Sequence, residues 1–397
     1  MAFFDEKLLL SGKTADTIYQ NIKDLPIIDY HCHLNEKEIK EDKRFENIGE
    51  LWLAGDHYKW RAMRLAGVDE EYITGSKSYK EKFFKYAEIM PKLIGNPLYY
   101  WTHMELTQIF GINEPLNADT AENIYNRAND VLKNLTVRGL LKKFRVEYIA
   151  TTDDPFSDLH DHGDIDGIKV RPTFRPDACF ARNVDKDILS ARLDYFVEHG
   201  CKIADHGFDD FDDTTDLEWL IEKCKEKDII LQLHFGTFRN VNTTAFKTIG
   251  KDSGFDVFRA HISTDKLAVL LDKMTVKLGT LPKIIIYPLN DNYLRPLAAI
   301  SGAFRSVIIG AAWWFNDTVC GIRRQLETVS EYAILGTNLG MLTDSRSFSS
   351  YVRFDFYRRI LASFIADKVD KGEYDEKAAI SLAKDLAYNN VKGALDL

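Results

Sequence analysis

The 397-residue chain has no apolar run near the roughly 18 residues of a membrane-spanning helix. It also has no cluster of basic residues, and its formal net charge is −9. Binding to the nucleic-acid backbone or to an anionic membrane surface depends on concentrated positive charge, so neither is expected as the main function. An acidic protein that acts on an anionic small molecule would instead need a few arginines gathered at one site.

Cysteine is also scarce, and the chain has no CxxC pair. An odd number of scattered cysteines is typical of reduced thiols rather than of a disulfide framework. The first residues, MAFFDEKLLLSGKTAD, lack the apolar core and the small-residue cleavage site of a secretory signal. We therefore expect a cytoplasmic protein. The cysteines are Cys32, Cys179, Cys201, Cys224 and Cys320.

What the chain does have is eight short apolar runs, each ending in polar side chains that are able to do chemistry. Continuously apolar, β-branched runs favour strands buried on both faces of a parallel sheet, and amphipathic helical patterns lie between most of them. Eight such units predict an α/β fold, an irregular (β/α)8 barrel of the TIM type. A doubly wound open sheet is the alternative, although no glycine-rich nucleotide loop is present. The runs begin at Pro26, Val146, Ile168, Cys201, Ile229, Lys283, Val307 and Leu339.

One interval between these runs is far longer than the others. More than 100 residues, rich in helix formers and aromatics, separate the first run from the second, which is too long for one crossover helix. We predict that residues 35–145 form an inserted helical subdomain that contributes to the active site, and that residues 1–34 and 146–397 form the catalytic barrel. The next connection, DPFSDLHDHGDIDG, looks too short and polar for a full helix.

In a barrel, functional residues gather at the carboxyl ends of the strands. The first run ends with His31 and His33, and the eighth run ends near Asp344. Because the two histidines are two residues apart, both imidazoles point to the same side of a strand. Because the last strand of a closed barrel adjoins the first, these residues predict a site for a divalent metal with open coordination positions. Zinc is the favoured ion, and manganese, iron and cobalt are alternatives. By itself an HxH pair is a weak signal.

Longer motifs carry a family resemblance. The segments DYHCHL, LWLAGDHYKWRAMRLAG, GNPLYYWTHMEL, RPTFRPD, ADHG, WWFND and GMLTDSRSFSSYVRFDFYRRIL resemble, in this order, those of uronate isomerases in the amidohydrolase superfamily. The resemblance covers nearly the whole chain, and GDHYKWR and LTDSRSF are its most specific blocks. It implies interconversion of D-glucuronate with D-fructuronate and of D-galacturonate with D-tagaturonate, with no nucleic-acid or membrane partner. We also expect a homo-oligomer.

The same resemblance implies that His31, His33 and Asp344 bind the metal, with Asp344 also counted as catalytic. It further places a second set of side chains at the substrate: His57, Tyr58, Arg175, Arg346 and one of Trp313 or Trp314. Of the two tryptophans we choose Trp314.

Aldose–ketose exchange removes a proton from C2, passes through a cis-enediol and returns a proton to C1, so it needs a base, an acid and oxyanion stabilisation. We predict that Tyr58 moves the C2 proton. Its ordinary pKa of about 10 makes it a poor base, so we expect the Arg346 guanidinium to favour the phenolate. His57 would orient or polarise the substrate oxygens.

Two further residues complete the predicted substrate site. Arg175 is expected to hold the uronate carboxylate through two parallel hydrogen bonds, with a structural ion pair as the alternative. His234 ends the fifth run, where it is expected either to ligate the metal or to form a hydrogen bond beside it. Arg171, Asp153, Asp154, Asp205 and His206 are weaker candidates, and His160 and His162 are expected to be solvated.

Two other functions stay open at this point. A metal-dependent hydrolase on the same barrel would use further histidines, but the sixth run ends in YPLND and offers none. A non-catalytic sugar-acid-binding protein would need no tyrosine–arginine pair. The chain also departs from the family in one place, because it has Arg353-Phe354-Asp355-Phe356-Tyr357 where the family pattern is Arg-His-Glu-Tyr-Phe.

Overall fold

The computed structural model describes residue 4 and residues 6–208 and 211–397. The described strands are β1 (Ile27–Asp29), β2 (Val146–Ala150), β3 (Gly163–Ile165), β4 (Ile168–Arg171), β5 (Thr173–Phe174), β6 (Ile203–Phe208), β7 (Ile230–Phe235), β8 (Thr237–Phe238), β9 (Val257–Phe258), β10 (Ile284–Pro288) and β11 (Val307–Ile309).

The described α-helices surround these strands. They are α1 (Lys13–Ile22), α2 (Glu36–Lys40), α3 (Ile48–Leu53), α4 (His57–Leu65), α5 (Tyr79–Ile89), α6 (Pro97–Phe110), α7 (Ala121–Leu132), α8 (Val137–Lys143), α9 (Asp177–Ala181), α10 (Lys186–Glu198), α11 (Thr215–Lys227), α12 (Thr243–Ile249), α13 (Thr264–Leu278), α14 (Leu294–Ala303), α15 (Val319–Tyr332), α16 (Val352–Asp370), α17 (Glu376–Lys384) and α18 (Asn390–Ala394).

Parallel pairing dominates the centre of the molecule. One sheet has the order β1-β2-β4-β3, in which only β3 is antiparallel to its neighbour, and a second, all-parallel sheet has the order β11-β10-β7-β6-β5. Most residues of these strands are buried, and isoleucine, leucine and valine are the commonest types among them, as expected of strands covered on both faces. The predicted α/β class with parallel sheets is therefore confirmed.

The third predicted strand is divided in two. It runs as β4 and then β5, interrupted at Pro172, which has no N–H to donate to a neighbouring strand. β4 pairs with β2, whereas β5 pairs with β6, so the two pieces belong to different sheets. A parallel bridge from Asp153, just after β2, to Phe174 of β5 joins the sheets on this side.

The eighth predicted strand does not form, because two residues in it leave the extended backbone. Gly340 has φ +73° and Asp344 has φ +47°, in the left-handed region that a strand cannot use. The segment nevertheless lies beside β1: Asp344 N donates to His31 O at 3.0 Å and His33 N donates to Ser345 O at 2.9 Å. Backbone pairing therefore persists where a regular strand does not.

Residues 35–145, all of which are described, contain the helices α2–α8 and no strand. Local chemistry marks their ends: Ser78 and Glu81 form a capping box at α5, and Asn96 caps α6 before Pro97 in the first turn. α6 packs against α16, which anchors the segment to the rest of the chain. The helical content was predicted; whether the segment is a separate subdomain stays a prediction.

The connection between β2 and β4 contains no helix, as expected. It ends in the antiparallel hairpin of β3 and β4, whose turn residues Asp166 and Gly167 both have positive φ. The predicted helices after β5, β6 and β11 are present as α10, α11 and α15. None of the described helices is long and apolar enough to span a membrane.

A buried ion pair ties α16 to the start of α15. Arg353 donates from Nε to Asp317 Oδ2 at 2.9 Å, and the two side chains are only 4% and 0% exposed. A second pair, Arg323 with Asp367, joins the same two helices at the surface, where the side chains are 38% and 37% exposed. Desolvation makes the loss of one partner costly only in the buried pair.

We expect Arg353→Met to lower the free energy of unfolding by about 3–5 kcal/mol, because it leaves the Asp317 carboxylate buried without its counter-charge. The surface variant Arg323→Met is the matched control, with a loss of about 1 kcal/mol or less. Urea unfolding followed by circular dichroism measures both. Equal midpoints for the two variants would contradict the assignment.

Candidate active site

A cavity of about 470 Å³ is lined by residues that end or follow the parallel strands. Eight of the nine predicted site residues line it; Tyr58 does not. The eight are His31, His33, His57, Arg175, His234, Trp314, Asp344 and Arg346. The sequence motifs therefore lead to one place in the fold.

The three predicted metal ligands form a compact group. Asp344 Oδ1 lies 3.3 Å from His31 Nε2 and 3.2 Å from His33 Nε2. In the part of the chain that the structure describes, this is the one group of three potential ligand residues whose donor atoms all lie within 4.8 Å of one another. The backbone pairing of β1 with the segment around Asp344 brings them together.

These residues fit a divalent cation. Ligand atoms at zinc distances of about 2.0–2.1 Å around a tetrahedral ion lie roughly 3.3 Å from each other, close to the spacing found here. Burial lowers the pKa of His33 to about 4, so its imidazole is neutral. Burial opposes ionisation of Asp344, yet its hydrogen bonds with His31 and His33 bring its pKa well below the usual range. A neutral imidazole and an ionised carboxylate are the forms that bind metals.

The Arg175 guanidinium contacts three neighbouring side chains. Its Nε lies 2.9 Å from Asp177 Oδ2 and its Nη1 lies 3.2 Å from Asp205 Oδ2. Its Nη2 is 3.1 Å from His234 Nε2. Burial would raise the pKa of Asp177, but the guanidinium lowers it to about 2. The sequence left a carboxylate clamp and a structural ion pair open, and this geometry favours the ion pair.

His234 has both ring nitrogens occupied. Nε2 faces Arg175, and Nδ1 lies 2.9 Å from Asp205 Oδ1. Burial lowers the pKa of His234, so the ring is neutral, with Nδ1 as the donor to the carboxylate. Of the two alternatives for His234, metal ligand or hydrogen-bonding neighbour, this arrangement matches the second.

Two residues around His234 carry more weight than the sequence suggested. Asp205, a weak candidate from its place in ADHG, is fully buried and pairs with both Arg175 and His234. Gly207 was overlooked: a Cβ there would lie 2.3 Å from His234 Nε2, so only glycine leaves room for the ring. The available signal was the glycine directly after a strand-end histidine in the ADHG motif.

Helix α4 presents His57 to the cavity. Asp56 accepts from Tyr58 N at 3.0 Å and Lys59 N at 3.1 Å and so caps the N-terminus of the helix. The His57 ring lines the cavity and meets Trp314 edge-on at 5.8 Å. Burial, and then the positive charge of Arg346, lower the pKa of His57. It is therefore neutral near pH 7 and able to accept a proton.

Tyr58 differs from the prediction in two ways. Its hydroxyl is buried, has no hydrogen-bond partner among the described residues, and belongs to a smaller neighbouring cavity of about 170 Å³. The nearby guanidinium is that of Arg353, 5.6 Å from the ring, whereas Arg346 pairs with Asp252 at 3.2 Å. Burial and the Asp344 carboxylate raise the pKa of Tyr58 well above 10. This arrangement favours a neutral phenol over the expected phenolate assisted by Arg346.

Both tryptophans of WWFND line the cavity, so the sequence choice of Trp314 alone was too narrow. Trp313 contacts His234 edge-on at 5.3 Å, and Trp314 stacks on Phe315. Trp314 has φ +49°, a rare conformation for a bulky side chain, and Asp344 shares the same region of backbone space. Strained backbone of this kind concentrates at functional sites.

The weaker candidates separate clearly. Arg171 pairs with Asp164 and does not line the cavity, and His160 is exposed, as expected. The prediction for His162 was wrong, because its side chain is 3% exposed and lies 3.5 Å from Asp153. Phe354, at the departure from the family pattern, is buried among apolar residues and does not line the cavity.

Comparison with known proteins gives a consistent result. A family model described as glucuronate isomerase matches residues 1–188 and 210–394. A uronate isomerase of Caldanaerobacter subterraneus subsp. tengcongensis is 38% identical, with 98% of each chain covered. One from Caldicellulosiruptor bescii is 39% identical at the same coverage. The first of these alignments spans 462 positions, more than the 397 residues here, so that relative is longer.

Solved structures agree with the sequence comparison. The uronate isomerase of Thermotoga maritima superposes with a TM-score of 0.94 at 31% identity over 100% of both chains. The glucuronate isomerase of Caulobacter crescentus gives 0.91 at 25% identity over 99% and 97%. A metal-dependent hydrolase from Lactobacillus casei, at 12% identity and a TM-score of 0.54, shares only the fold. The chain belongs to the glucuronate isomerase family.

Proposed function

We propose that the protein interconverts D-glucuronate with D-fructuronate, and D-galacturonate with D-tagaturonate, through a cis-enediol. One observation carries this proposal: a single cavity brings a histidine–histidine–aspartate group together with a neutral histidine and an aromatic wall. Family membership supports an isomerase over the alternative of a metal-dependent hydrolase. It equally disfavours a non-catalytic binding protein.

The scaffold we propose is an irregular (β/α)8 barrel. A backbone bridge between Asp153 and Phe174 joins the two parallel sheets on one side. On the other side residues 343–345 pair with β1, and Asn338, earlier in the same segment, donates from Nδ2 to Ile309 O of β11. Residues 1–34 and 146–397 would form the barrel, and residues 35–145 the helical insertion that supplies His57 and Tyr58. The packing of α6 on α16 supports this division.

The cofactor we propose is one divalent metal ion, with zinc favoured by the two imidazoles and one carboxylate. His31, His33 and Asp344 would hold it. When bound, such an ion supplies Lewis-acid stabilisation of negative charge on substrate oxygens. The donor spacing described above supports the assignment.

The residues of the chain would then share the proton transfers. His57, neutral and at the cavity wall, would accept the C2 proton while Tyr58, a neutral phenol in the adjoining cavity that shares His57 and Trp314, donates its proton to O1, which gives the cis-enediol. The His57 imidazolium would then return its proton to C1 as the Tyr58 phenolate takes the proton of the O2 hydroxyl, so both groups end in their starting states. These roles differ from the sequence expectation because burial, rather than a guanidinium, controls the pKa of Tyr58. Arg346, with one carboxylate neighbour, keeps donors for the anionic substrate.

Arg175 and the two aromatic side chains would shape the site. Arg175 holds His234 and Asp205 in place, and Trp313 and Trp314 form the wall against which the sugar lies. We further propose that the protein works in the cytoplasm, where its five unpaired cysteines would stay reduced. A homo-oligomeric state stays a prediction.

Removing a metal ligand tests the cofactor. We expect His33→Asn and Asp344→Asn to lose both bound metal and the conversion of D-glucuronate to its ketose, because two donors hold an ion far less well than three. Elemental analysis and proton NMR measure the two quantities, with the exposed His199→Asn as control. Full activity in a metal-free variant would contradict the proposal.

A second comparison tests the proton transfers. His57→Asn and Tyr58→Phe should each lower kcat by roughly 10²–10⁴ with little change in metal content, as expected for the loss of general acid–base groups. Tyr195→Phe, on α10 and outside the cavity wall, is the control. In deuterated water, deuterium should still be incorporated at C2 of the recovered D-glucuronate by Tyr58→Phe, at a reduced rate. His57→Asn should incorporate none. The reverse pattern would make Tyr58 the base.

A further inference from the structure

A series of polar side chains, all buried except the partly buried Asp56, runs from β1 to helix α4 through residues 343–349 and helix α6. We name it the bridging network. Its members are Asp29, Thr343, Ser345, Ser347, Ser349, Glu105, Lys59 and Asp56. One end lies two residues before the metal ligand His31, and the other lies directly before His57 and Tyr58.

The first part of the network follows the segment after the pairing with β1. Thr343 Oγ1 donates to Asp29 Oδ2 at 2.6 Å, and Ser345 N donates to Thr343 Oγ1 at 3.3 Å. Ser347 N then donates to Ser345 Oγ at 3.1 Å, and the hydroxyls of Ser347 and Ser349 lie 3.0 Å apart. Alternate residues of one short segment therefore carry the connection past Asp344 and Arg346.

The second part crosses into the helices of residues 35–145. Ser349 Oγ donates to Glu105 Oε2 on α6 at 2.7 Å. Glu105 Oε1 lies 4.0 Å from Lys59 Nζ, which donates to Asp56 Oδ2 at 2.7 Å. The same Asp56 carboxylate holds the N–H groups of Tyr58 and Lys59. The network therefore ends at the turn that aims His57 and Tyr58.

Stability alone does not account for this arrangement of buried charges. Lys59 and Glu105 are almost completely buried, and well-packed apolar residues often stabilise a core as well as a buried ion pair does. What this series of hydrogen bonds, with one ion pair between Glu105 and Lys59, provides in addition is a restricted geometry, because each link depends on the position of the next. It also joins parts of the chain far apart in sequence, since Ser349 and Glu105 are 244 residues apart.

We propose that the bridging network positions His57 and Tyr58 relative to the metal ligands, and that Lys59 and Ser349 are positioning residues for proton transfer. The inference rests on the proposed function of His57 and Tyr58. Neither Lys59 nor Ser349 lines the cavity, so each acts only through others. A displacement of about 1 Å at a reacting group can reduce a rate 10²-fold, which sets the scale of the expected effect.

Two variants break the network at different links. Ser349→Ala removes the bond to Glu105, and Lys59→Met removes the link between Glu105 and Asp56. The matched control is Ser363→Ala on α16: Ser363 is also a buried serine with two hydrogen bonds, to Leu9 O at 2.7 Å and from Ser11 N at 3.1 Å. If Lys59→Met does not fold, Ser349→Ala and its control carry the test alone.

We expect Ser349→Ala and Lys59→Met to lower kcat by roughly 10–100-fold, with KM and metal content close to those of the parent protein. Ser363→Ala should lose comparable thermal stability while keeping kcat. A fall in kcat no larger in Ser349→Ala than in Ser363→Ala would overturn the inference. So would a loss of metal that parallels the loss of rate, because the effect would then lie at the ligands.

Hydrogen–deuterium exchange gives a readout that does not depend on turnover. The amides of Tyr58 and Lys59 should exchange faster in Ser349→Ala than in the parent protein, and unchanged in Ser363→Ala. If the parent protein converts no uronate, the proposed function fails, yet this exchange pattern still tests the network. Equal protection of both amides in all three proteins would overturn it.

Discussion

The structure depends on one meeting of chain segments, where residues 343–345 lie against β1. Two backbone hydrogen bonds and the Asp29–Thr343 contacts hold them together. This pairing brings a carboxylate from near the end of the chain to two imidazoles from near its start, and it fixes where the bridging network begins. Helix α4, within residues 35–145, brings His57 and Tyr58 close to the histidine–histidine–aspartate group, whose position depends on this pairing.

Side chains of opposite charge pair with one another around that centre. Asp344 faces the two imidazoles. Nearby, Arg175 lies between the carboxylates of Asp205 and Asp177, so each of these charges has a neighbour of opposite sign. Such pairing keeps the carboxylates ionised in a dry environment that would otherwise protonate them. Because Arg175 is used in these ion pairs, the cavity arginines with donors left for an anion are Arg346 and Arg239, which pair with Asp252 and Asp256 respectively.

The sequence was sufficient for what depends on pattern and insufficient for what depends on long-range geometry. Periodicity and strand-end polarity located seven of the eight central segments as strands, and HxH with a distant aspartate located the histidine–histidine–aspartate group that could hold a metal. Glycine and aspartate tolerate the left-handed region, but the sequence does not show that Gly340 and Asp344 adopt it and so prevent the last strand. The sequence also does not show which of Arg346 and Arg353, two and nine residues past Asp344, lies beside Tyr58, because packing decides this. The engagement of Arg175 likewise required knowing that Asp205 lies opposite.

The left-handed conformation of Trp314 has an energetic meaning for the whole molecule. Holding a bulky residue at positive φ costs on the order of 1–3 kcal/mol, whereas glycine would adopt the same backbone with ease. The surrounding structure must therefore compensate for a ring that faces the cavity instead of relaxing away from it. On the proposed function, this cost would be offset by a rigid surface for the sugar, and the most stable sequence for this fold would then differ from the most active one.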